Sequence, residues 1–382
     1  MRKTINIGDL GTIITGKTPP TTNKNYYGDY AVFIKPTDIS EQSKYTYETE
    51  EMYSKLAAEK YESSLIPKGA ICVPCIGTIG TKMTMTPCDC YTNQSINSII
   101  CNENYDNEYV YYLIKNFLPG LKAYNLGTAS GREYVSKSNF EKIELVAEQD
   151  QEIQKKIGII LSRYDSLIEN YQKQIKLLEE AAQRLYKEWF VDLRFPGHEN
   201  TKIVDGVPEG WTPSQLGQLA EFKRGKTITK KDVIDGDIPV VAGGLEPAYY
   251  CNKSNTAERV ITISGSGANA GFTRMYFEKV WASDCSFVDA SVTPFLHFVY
   301  CYLKANKTTI DNMQKGAAQP HVYAKDINSL SICIPIESVL KSFEGTASKY
   351  FDTISSFQSQ LRLLTEARDR LLPKLMSGEI EI

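Results

Sequence analysis

The stretch QIKLLEEA at residues 174–181 recurs as QLRLLTEA at residues 360–367. Other matches precede it in the same order. DLGTI (9–13) followed by GKT (16–18) corresponds to QLGQL (215–219) followed by GKT (225–227). GTA (127–129) followed by Tyr134 corresponds to GAA (316–318) followed by Tyr323. The offset between copies is 206 to 209 residues in the first matches, then 189, then 186. Ordered matches with a drifting offset predict a duplicated unit of about 190 residues.

Each unit has two textures. Its first part contains short β-branched and aromatic runs, such as YAVFI (30–34) and RVITI (259–263), broken by Gly, Pro and Asn, and these predict strands. Its last part of about 40 residues has few breakers and predicts one long helix. The expected fold class is therefore α+β, with two β-rich domains in tandem repeat, separated and linked by two long helices that form an antiparallel coiled coil. We expect domains at residues 1–150, 151–194, 195–336 (beginning with a Pro/Gly-rich linker) and 337–382.

Heptad spacing supports the coiled coil, because apolar steps of three and four residues recur along both helices. The first helix, from Ile153 to Trp189, would extend ~55 Å at 1.5 Å per residue, further than a small domain is wide. Pro373 should end or kink the last turn. The seam of the first helix is predicted at Ile153, Ile157, Ile160, Tyr164, Leu167, Tyr171, Ile175, Leu178, Ala182, Leu185 and Trp189. The seam of the second is predicted at Leu340, Phe343, Ala347, Tyr350, Ile354, Phe357, Leu361, Leu364, Leu371 and Leu375, with Arg368 as the lone charged position.

Composition indicates an ordinary globular protein. The 382 residues are 42% hydrophobic and 23% charged. We find neither an apolar run of ~18 residues nor an N-terminal signal, so we expect a cytoplasmic protein without membrane contact. The net charge of −3 predicts no nucleic-acid binding by bulk charge, and any such site must come from local arrangement.

The nine cysteines favour free thiols in a reducing compartment. Cys72, Cys75, Cys88 and Cys90 could in principle hold zinc, but the second pair is too tightly spaced, and Cys72 and Cys75 lie in an apolar run. We expect buried strand cysteines and no metal site.

The segment GTIITGKT (11–18) matches the phosphate-binding loop of nucleotide hydrolases letter for letter. Such a loop needs a helix after it, whereas Pro19 and Pro20 follow here and disfavour one. A second glycine-rich segment, SGSGANAG (264–271), corresponds to GTIG (77–80) and predicts a tight turn between strands. The chain has three histidines and no recognisable catalytic constellation. We therefore expect no catalytic residue.

Recognition is the remaining interpretation. Lys223, Arg224, Lys226, Lys230 and Lys231 form the densest basic cluster. The loops GTASGREY (127–134) and GAAQPHVY (316–323) occupy equivalent places but carry different polar side chains. Two equivalent loops with different hydrogen-bonding groups are what two readers of different base sequences would show.

This organisation resembles the specificity subunit of bacterial type I restriction-modification systems. The resemblance covers nearly the whole chain. It rests on LG (10–11) with GKTP (16–19), IKPTDI (34–39), GTIG (77–80), NQS (93–95), EQ (148–149) opening a long helix, and GVPEGW (206–211) opening the second half. The NQS segment becomes DCS (284–286) in the second copy.

The resemblance implies a non-catalytic chain that reads a bipartite site in double-stranded DNA, one half with each β-rich domain. The helices would space the halves and dock two methyltransferase subunits, which bind S-adenosylmethionine and methylate adenine N6. No cofactor would bind this chain, and restriction/translocase subunits would join for cleavage. The expected DNA-facing residues are Lys17, Lys35, Thr78, Lys82, Asn93, Gln94, Thr128, Ser130, Arg132, Tyr134, Lys223, Arg224, Lys226, Ser266, Asn269, Arg274, Gln319, His321 and Tyr323.

Two other classes stay open at this point. One is a coiled-coil scaffold without a DNA role. The other is a nucleotide hydrolase that uses GTIITGKT.

Overall fold

A computed structural model describes residues 2–127, 133–316 and 320–382. Its contacts divide the chain into two compact units. Unit 1 comprises Met1–Gln172 and Gln360–Ile382, and unit 2 comprises Lys173–Ser359. Each unit therefore contains part of both long helices. The domain limits at 150, 194 and 336 were drawn from sequence texture, and they stay a prediction.

The β-rich part of unit 1 precedes the first long helix. Its strands are β1 (Arg2–Asn6), β2 (Gly11–Thr15), β3 (Tyr27–Ile34), β4 (Met52–Tyr53), β5 (Ile71–Pro74), β6 (Thr84–Met85), β7 (Tyr91–Thr92), β8 (Ile96–Cys101) and β9 (Glu144–Glu148). Its helices are α1 (Lys55–Lys60), α2 (Asn107–Phe117), α3 (Lys137–Glu141) and the start of α4 (Gln151–Tyr186). Short 3-10 turns lie at Ile7–Leu10, Lys24–Tyr26, Pro36–Asp38, Glu62–Ser64 and Leu118–Tyr124.

The β-rich part of unit 2 follows α4. Its strands are β10 (Ile203–Val204), β11 (Val207–Pro208), β12 (Thr212–Gln215), β13 (Lys223–Arg224), β14 (Ile238–Val241), β15 (Tyr249–Cys251), β16 (Val260–Ser264), β17 (Thr273–Tyr276), β18 (Trp281–Ala282), β19 (Cys285–Asp289) and β20 (Ser331–Ile334). Its helices are α5 (Leu216–Leu219), α6 (Leu296–Ala305), α7 (Lys307–Asn312), α8 (Ala324–Asn328) and α9 (Glu337–Ser377), which continues into unit 1. A π-helical turn (Lys187–Val191) extends α4, and 3-10 turns lie at His198–Asn200 and Lys230–Asp232.

The two units share one topology. The strand order β2-β8-β5-β6 in unit 1 recurs as β13-β19-β16-β17 in unit 2. The three-stranded sheet β4-β3-β7 recurs as β15-β14-β18. In each sheet the central strand pairs antiparallel with one neighbour and parallel with the other. The pair β1-β9 recurs as β12-β20. The predicted α+β fold with two β-rich domains in tandem is confirmed.

Central strands are buried on both faces, and their composition explains this. All four residues of β5 (ICVP) and all five of β16 (VITIS) are buried. Continuous β-branched and apolar runs of this kind suit strands covered on both sides. They anchor a core in each unit that also includes the buried residues Tyr109–Ile114 of α2 or Leu296–Leu303 of α6.

The long helices pack against each other in antiparallel fashion inside each unit. In unit 1, Asp165 of α4 contacts Arg368 of α9, while the earlier Ile157 and the later Leu375 share one core. In unit 2, Tyr186 lies 6.3 Å from Phe343, measured between ring centroids. Contacts in which one residue number rises as the other falls define the antiparallel direction.

The buried stripe of α4 differs from the predicted seam. Leu161, Asp165 and Ile168 are buried, one residue after the predicted Ile160, Tyr164 and Leu167, and Leu167 is 46% exposed. The apolar pattern was misleading because polar Gln154 and Asp165 are themselves buried. Other predicted seam residues are buried, namely Ile157, Ala182, Leu340, Phe343, Ala347, Ile354 and Leu375. Half-buried seam residues include Tyr164, Tyr171, Leu178, Leu185, Leu361 and Leu371.

Pro373 was expected to end or kink the last turn, and it does not end the helix, because α9 runs past it to Ser377. Proline lacks the N–H that would bond the carbonyl one turn earlier. Packing supports this turn instead, since Leu372, Leu375 and Met376 are all buried in the core of unit 1.

Candidate nucleic-acid interface

The two Gly-Lys-Thr segments form equivalent turns at a strand end. The Gly16 and Lys17 N–H groups donate to the Ile96 and Thr92 carbonyls at 3.2 and 2.9 Å. The Gly225 and Lys226 N–H groups donate to the Cys285 and Ala282 carbonyls at 2.8 and 2.9 Å. A β-carbon at either glycine would overlap backbone oxygens of the facing strand. Close backbone approach therefore accounts for the glycine, and the turn leaves Lys17 and Lys226 exposed.

This geometry excludes the phosphate-binding loop that GTIITGKT suggested. Gly11–Thr15 is strand β2, paired with β8, and residues 16–23 of the described chain contain no helix. Without a helix N-terminus after the lysine, the backbone dipoles that hold a nucleotide phosphate are missing.

The glycine-rich segments are turns between antiparallel strands, as predicted. GTIG (77–80) joins β5 to β6, and SGSGANAG (264–271) joins β16 to β17. Gly77 and Gly267 adopt left-handed φ angles of 86° and 78°, which favour glycine.

The loops predicted to read bases, at residues 127–134 and 316–323, are called the reading loops below. Each glycine-rich turn docks on the described part of the reading loop in its own unit. The Gly77 N–H donates to the Glu133 carbonyl at 3.0 Å, and the Val135 N–H donates to the Cys75 carbonyl at 2.9 Å. In unit 2, the Gly267 N–H donates to the Pro320 carbonyl at 3.0 Å. The Val322 N–H there donates to the Gly265 carbonyl at 3.1 Å. The structure thus brings together two segments that the sequence could only propose separately.

The reading loops are closed by equivalent backbone pairs. The Leu126 N–H donates to the Tyr134 carbonyl at 2.9 Å, and the Lys315 N–H donates to the His321 carbonyl at 3.0 Å. Pairing Tyr134 with Tyr323 was therefore wrong, because His321 occupies the position of Tyr134. The second loop spans residues 316–320 and the first spans 127–133, so a two-residue deletion had shifted the alignment. Thr128, Ser130, Arg132 and Gln319 lie outside the described residues.

The counterpart of the NQS segment (93–95) in unit 2 also differs from the one predicted. The Cys75 N–H donates to the Ser95 carbonyl at 2.7 Å, and the Gly265 N–H donates to the Asp284 carbonyl at 3.1 Å. Asp284 therefore stands at the position of Ser95, not of Asn93, and Cys285 stands at that of Ile96. Between the carbonyls that hold the Gly-Lys-Thr turn, unit 2 is one residue shorter than unit 1. Because of this deletion, the predicted pairing of NQS with DCS was wrong.

Among the predicted residues of unit 1, several have structural partners. The Asn93 Oδ1 accepts from the Ser95 N–H at 3.0 Å, and the exposed Gln94 is hydrogen-bonded to Thr18. The Lys35 ammonium donates to Glu50 at 2.7 Å and to Glu51 at 3.3 Å. Partial burial alone would lower the pKa of Lys35, but these bonds raise it. Its charge is thus already compensated. Thr78 is exposed, while Lys82 and Tyr134 are half-buried.

In unit 2, the exposed Lys223, Arg224 and Lys226 lie on or beside β13. The His321 ring stacks on the Tyr323 ring, with centroids 6.0 Å apart and planes inclined by 15°. The Asn269 amide donates to the Gly243 carbonyl at 3.5 Å. Ser266, in the glycine-rich turn, forms an antiparallel backbone bridge with His321.

Arg274 is oriented differently from the prediction. It lines a cavity of about 320 Å³ together with Glu179, Tyr300 and Phe351. Its guanidinium donates to the Leu245 carbonyl at 2.9 Å and to Glu246 at 3.2 Å, and it lies 4.8 Å from the Tyr276 ring centroid. Successive side chains of a strand point to opposite faces, and the short sequence of β17 did not show which face Arg274 would take.

Cys72, Cys75 and Cys90 are buried as expected, whereas Cys88 is exposed, contrary to the expectation. Cys72 contacts the Ser98 hydroxyl at 3.3 Å, and burial raises the pKa of both Cys72 and Cys75 to about 12. Zinc requires thiolates, which burial of this kind disfavours. Within residues 2–127, 133–316 and 320–382, no group of three or more His, Cys, Asp or Glu side chains is arranged to hold a metal ion.

Within the same described ranges, no helix combines the length and apolar character that crossing a membrane would require.

Comparison with known proteins identifies the class to which these paired domains belong. The chain belongs to the type I restriction-modification DNA specificity domain family, whose model matches residues 2–180 and 208–366. It is accordingly a type I specificity subunit, a non-catalytic component of such systems.

Individual relatives agree. The chain is 27% identical to the type I restriction enzyme MjaIX specificity subunit of Methanocaldococcus jannaschii, across 98% of this chain and 93% of that protein. It is 37% identical to the HindI specificity subunit of Haemophilus influenzae, across 41% of this chain and 35% of that protein. The crystal structure of the S subunit from M. genitalium matches with a TM-score of 0.62 at 17% identity, covering 98% of this chain and 96% of that one. This last match concerns the fold.

Proposed function

We propose that the chain reads a bipartite target in double-stranded DNA, one half with the interface of each unit. The observation that carries the proposal is the recurrence of one surface with different side chains. In both units equivalent backbone bonds join a glycine-rich turn to a closed loop, and equivalent bonds hold a Gly-Lys-Thr turn against the start of β8 or β19. Exposed Lys17 and Lys226 suit phosphate contacts, and the differing loop side chains suit different bases.

The partners follow from the family. Two methyltransferase subunits dock on the helices, bring S-adenosylmethionine and methylate adenine N6, while this chain holds no cofactor. Restriction/translocase subunits join them for cleavage. The assembly works in the cytoplasm, where it meets both chromosomal and incoming DNA.

The net charge of −3 argues that tight DNA binding needs those partners. Neutralised phosphates supply most non-specific affinity, and the chain alone has no excess of cations. We expect the isolated chain to bind DNA weakly in ~150 mM salt and to bind it strongly once two methyltransferase subunits are attached.

Methylome sequencing of a host with and without this gene tests the function. We expect one bipartite adenine-methylation motif to disappear with the gene and to return on complementation. A methylome that is unchanged, although the chain and a methyltransferase partner are both present, would favour the scaffold alternative.

A further inference from the structure

A carboxylate–guanidinium cluster lies beside the reading loop of unit 2. One Asp284 oxygen accepts from the Arg224 guanidinium, and its other oxygen accepts from the Ser266 hydroxyl. Both carboxylate oxygens are thereby occupied. The Arg224 side chain remains 47% exposed, so the cluster fixes the arginine without hiding it.

The backbone around the cluster is built to admit this arginine. A β-carbon on Gly265 would overlap the Arg224 guanidinium. The Gly265 N–H donates to the Asp284 carbonyl at 3.1 Å, and Ser266 pairs with His321 at the neck of the reading loop. Arg224 is therefore placed near the loop through Asp284, which also accepts from Ser266.

Among its described residues, unit 1 does not repeat this cluster. The backbone bonds place Thr15, Ile76 and Ser95 at the positions of Arg224, Ser266 and Asp284. The Thr15 hydroxyl bonds Asn97 at 2.6 Å instead. Since the cluster occurs in one copy of a duplicated surface, its role belongs to one half of the target.

We propose that Arg224 reads a guanine in the half-site of unit 2 and that Asp284 is its positioning residue. The guanidinium carries five N–H donors in a fixed fork, and Asp284 occupies only part of them. The remaining donors match the O6 and N7 acceptors that guanine alone presents in the major groove. This inference rests on the proposed function.

Methylome sequencing of cells that carry the complete system with Arg224→Ala or Asp284→Ala is the first test. The expected result is that a guanine at one position of one half-site becomes degenerate, at the same position for both variants, while the other half-site is unchanged. Lys226→Ala is the comparison variant: it removes a neighbouring exposed cation that suits a phosphate contact, so it should lower methylation uniformly and leave the motif unchanged. An unchanged motif with uniformly reduced methylation for Arg224→Ala would identify a phosphate contact and overturn the proposal.

The second test removes one acceptor atom and does not depend on methylation. Purified complex is titrated with target DNA that carries 7-deazaguanine at the affected position, or at each guanine of that half-site in turn if methylation is lost. Wild-type complex should lose affinity about tenfold at one position, and the Arg224→Ala complex should lose nothing further there. Equal losses for both proteins would overturn the assignment.

The two levels of inference fail separately. Absence of any bipartite motif in the wild-type host would count against the proposed function. A clear wild-type motif that contains no guanine in the half-site of unit 2 would overturn only the role of Arg224.

Discussion

Asp165 and Arg368 form a buried ion pair in the helix packing of unit 1, with Nη1 2.5 Å from Oδ1. Their side chains are only 5% and 9% exposed. The Tyr112 hydroxyl donates to the second Asp165 oxygen at 2.5 Å. The repeat places Phe351 and Ala182 at the corresponding positions of unit 2, where both are buried in an apolar core. The same packing position is thus polar in one copy and apolar in the other.

Breaking this pair should destabilise unit 1 strongly. Asp165→Ala leaves a buried guanidinium without its main partner, and we expect a loss of about 3–5 kcal/mol in the free energy of unfolding. Arg368→Ala should behave similarly. The double variant should lose clearly less than the sum of the two, because no charge is left unpaired. Chemical denaturation of all four proteins measures this, and strict additivity would contradict it.

Arg2 should hold the end of the second long helix. Its guanidinium donates to the Leu375 and Met376 carbonyls, both at 3.0 Å, and a cation near a helix C-terminus is favourable. We expect Arg2→Ala to raise amide exchange in the last turns of α9 and to cost about 1–2 kcal/mol locally. Lys3→Ala, which removes an exposed neighbouring cation, is the control and should leave exchange unchanged.

Glu169 should make stability depend on pH. Burial raises the pKa of its carboxyl group, Asp165 raises it further, and among the described residues its Oε1 has no hydrogen-bond partner. The folded chain therefore binds this proton more tightly than the unfolded chain does. The favourable contribution of protonated Glu169 to the free energy of unfolding is complete below the ordinary glutamate pKa. It is lost as pH rises through the raised pKa of the folded state.

Glu169→Gln should accordingly increase the thermal midpoint more at about pH 8 than at about pH 5. The exposed helix residue Glu152 offers a control, since Glu152→Gln should change both midpoints equally little. A gain that is larger at the lower pH would contradict the sign.

The closed loops should act on separate half-sites. We expect His321→Ala to relax the half-site of unit 2, and Tyr134→Ala, its structural counterpart, to affect only that of unit 1. Arg132→Ala, outside the described residues, should also relax only the half-site of unit 1. A bidentate base contact contributes about 1–3 kcal/mol of discrimination. Methylome motifs of the variants measure this, and equal loss at both halves would indicate a structural role.

Helix length should set the gap between half-sites. Seven residues inserted after Gln172 and after Ser359 preserve a heptad pattern and add ~10 Å to each helix. At ~3.4 Å per base pair, the unspecified gap should grow by roughly two to four base pairs while both half-site sequences persist. The same step turns the duplex by roughly 100°, so some affinity should be lost. An active complex with an unchanged gap would contradict this spacing role.

The sequence alone determined the duplication, the two long helices and the glycine-rich turns. These features are local. QIKLLEEA and its repeat, the two GKT segments and the apolar steps of a helix can each be recognised within a short stretch of sequence. The family resemblance rested on the same order of motifs, and the comparisons confirm it.

Tertiary structure decided which residues meet. Polar Asp165 is buried because Arg368, some two hundred positions away, and Tyr112 satisfy it, and no pattern within α4 could reveal that. Backbone pairing across two short deletions made His321 the counterpart of Tyr134 and moved Asp284 beside Arg224. Such pairings join segments that are distant in sequence, so their free energy belongs to the assembled fold and not to any stretch of the chain.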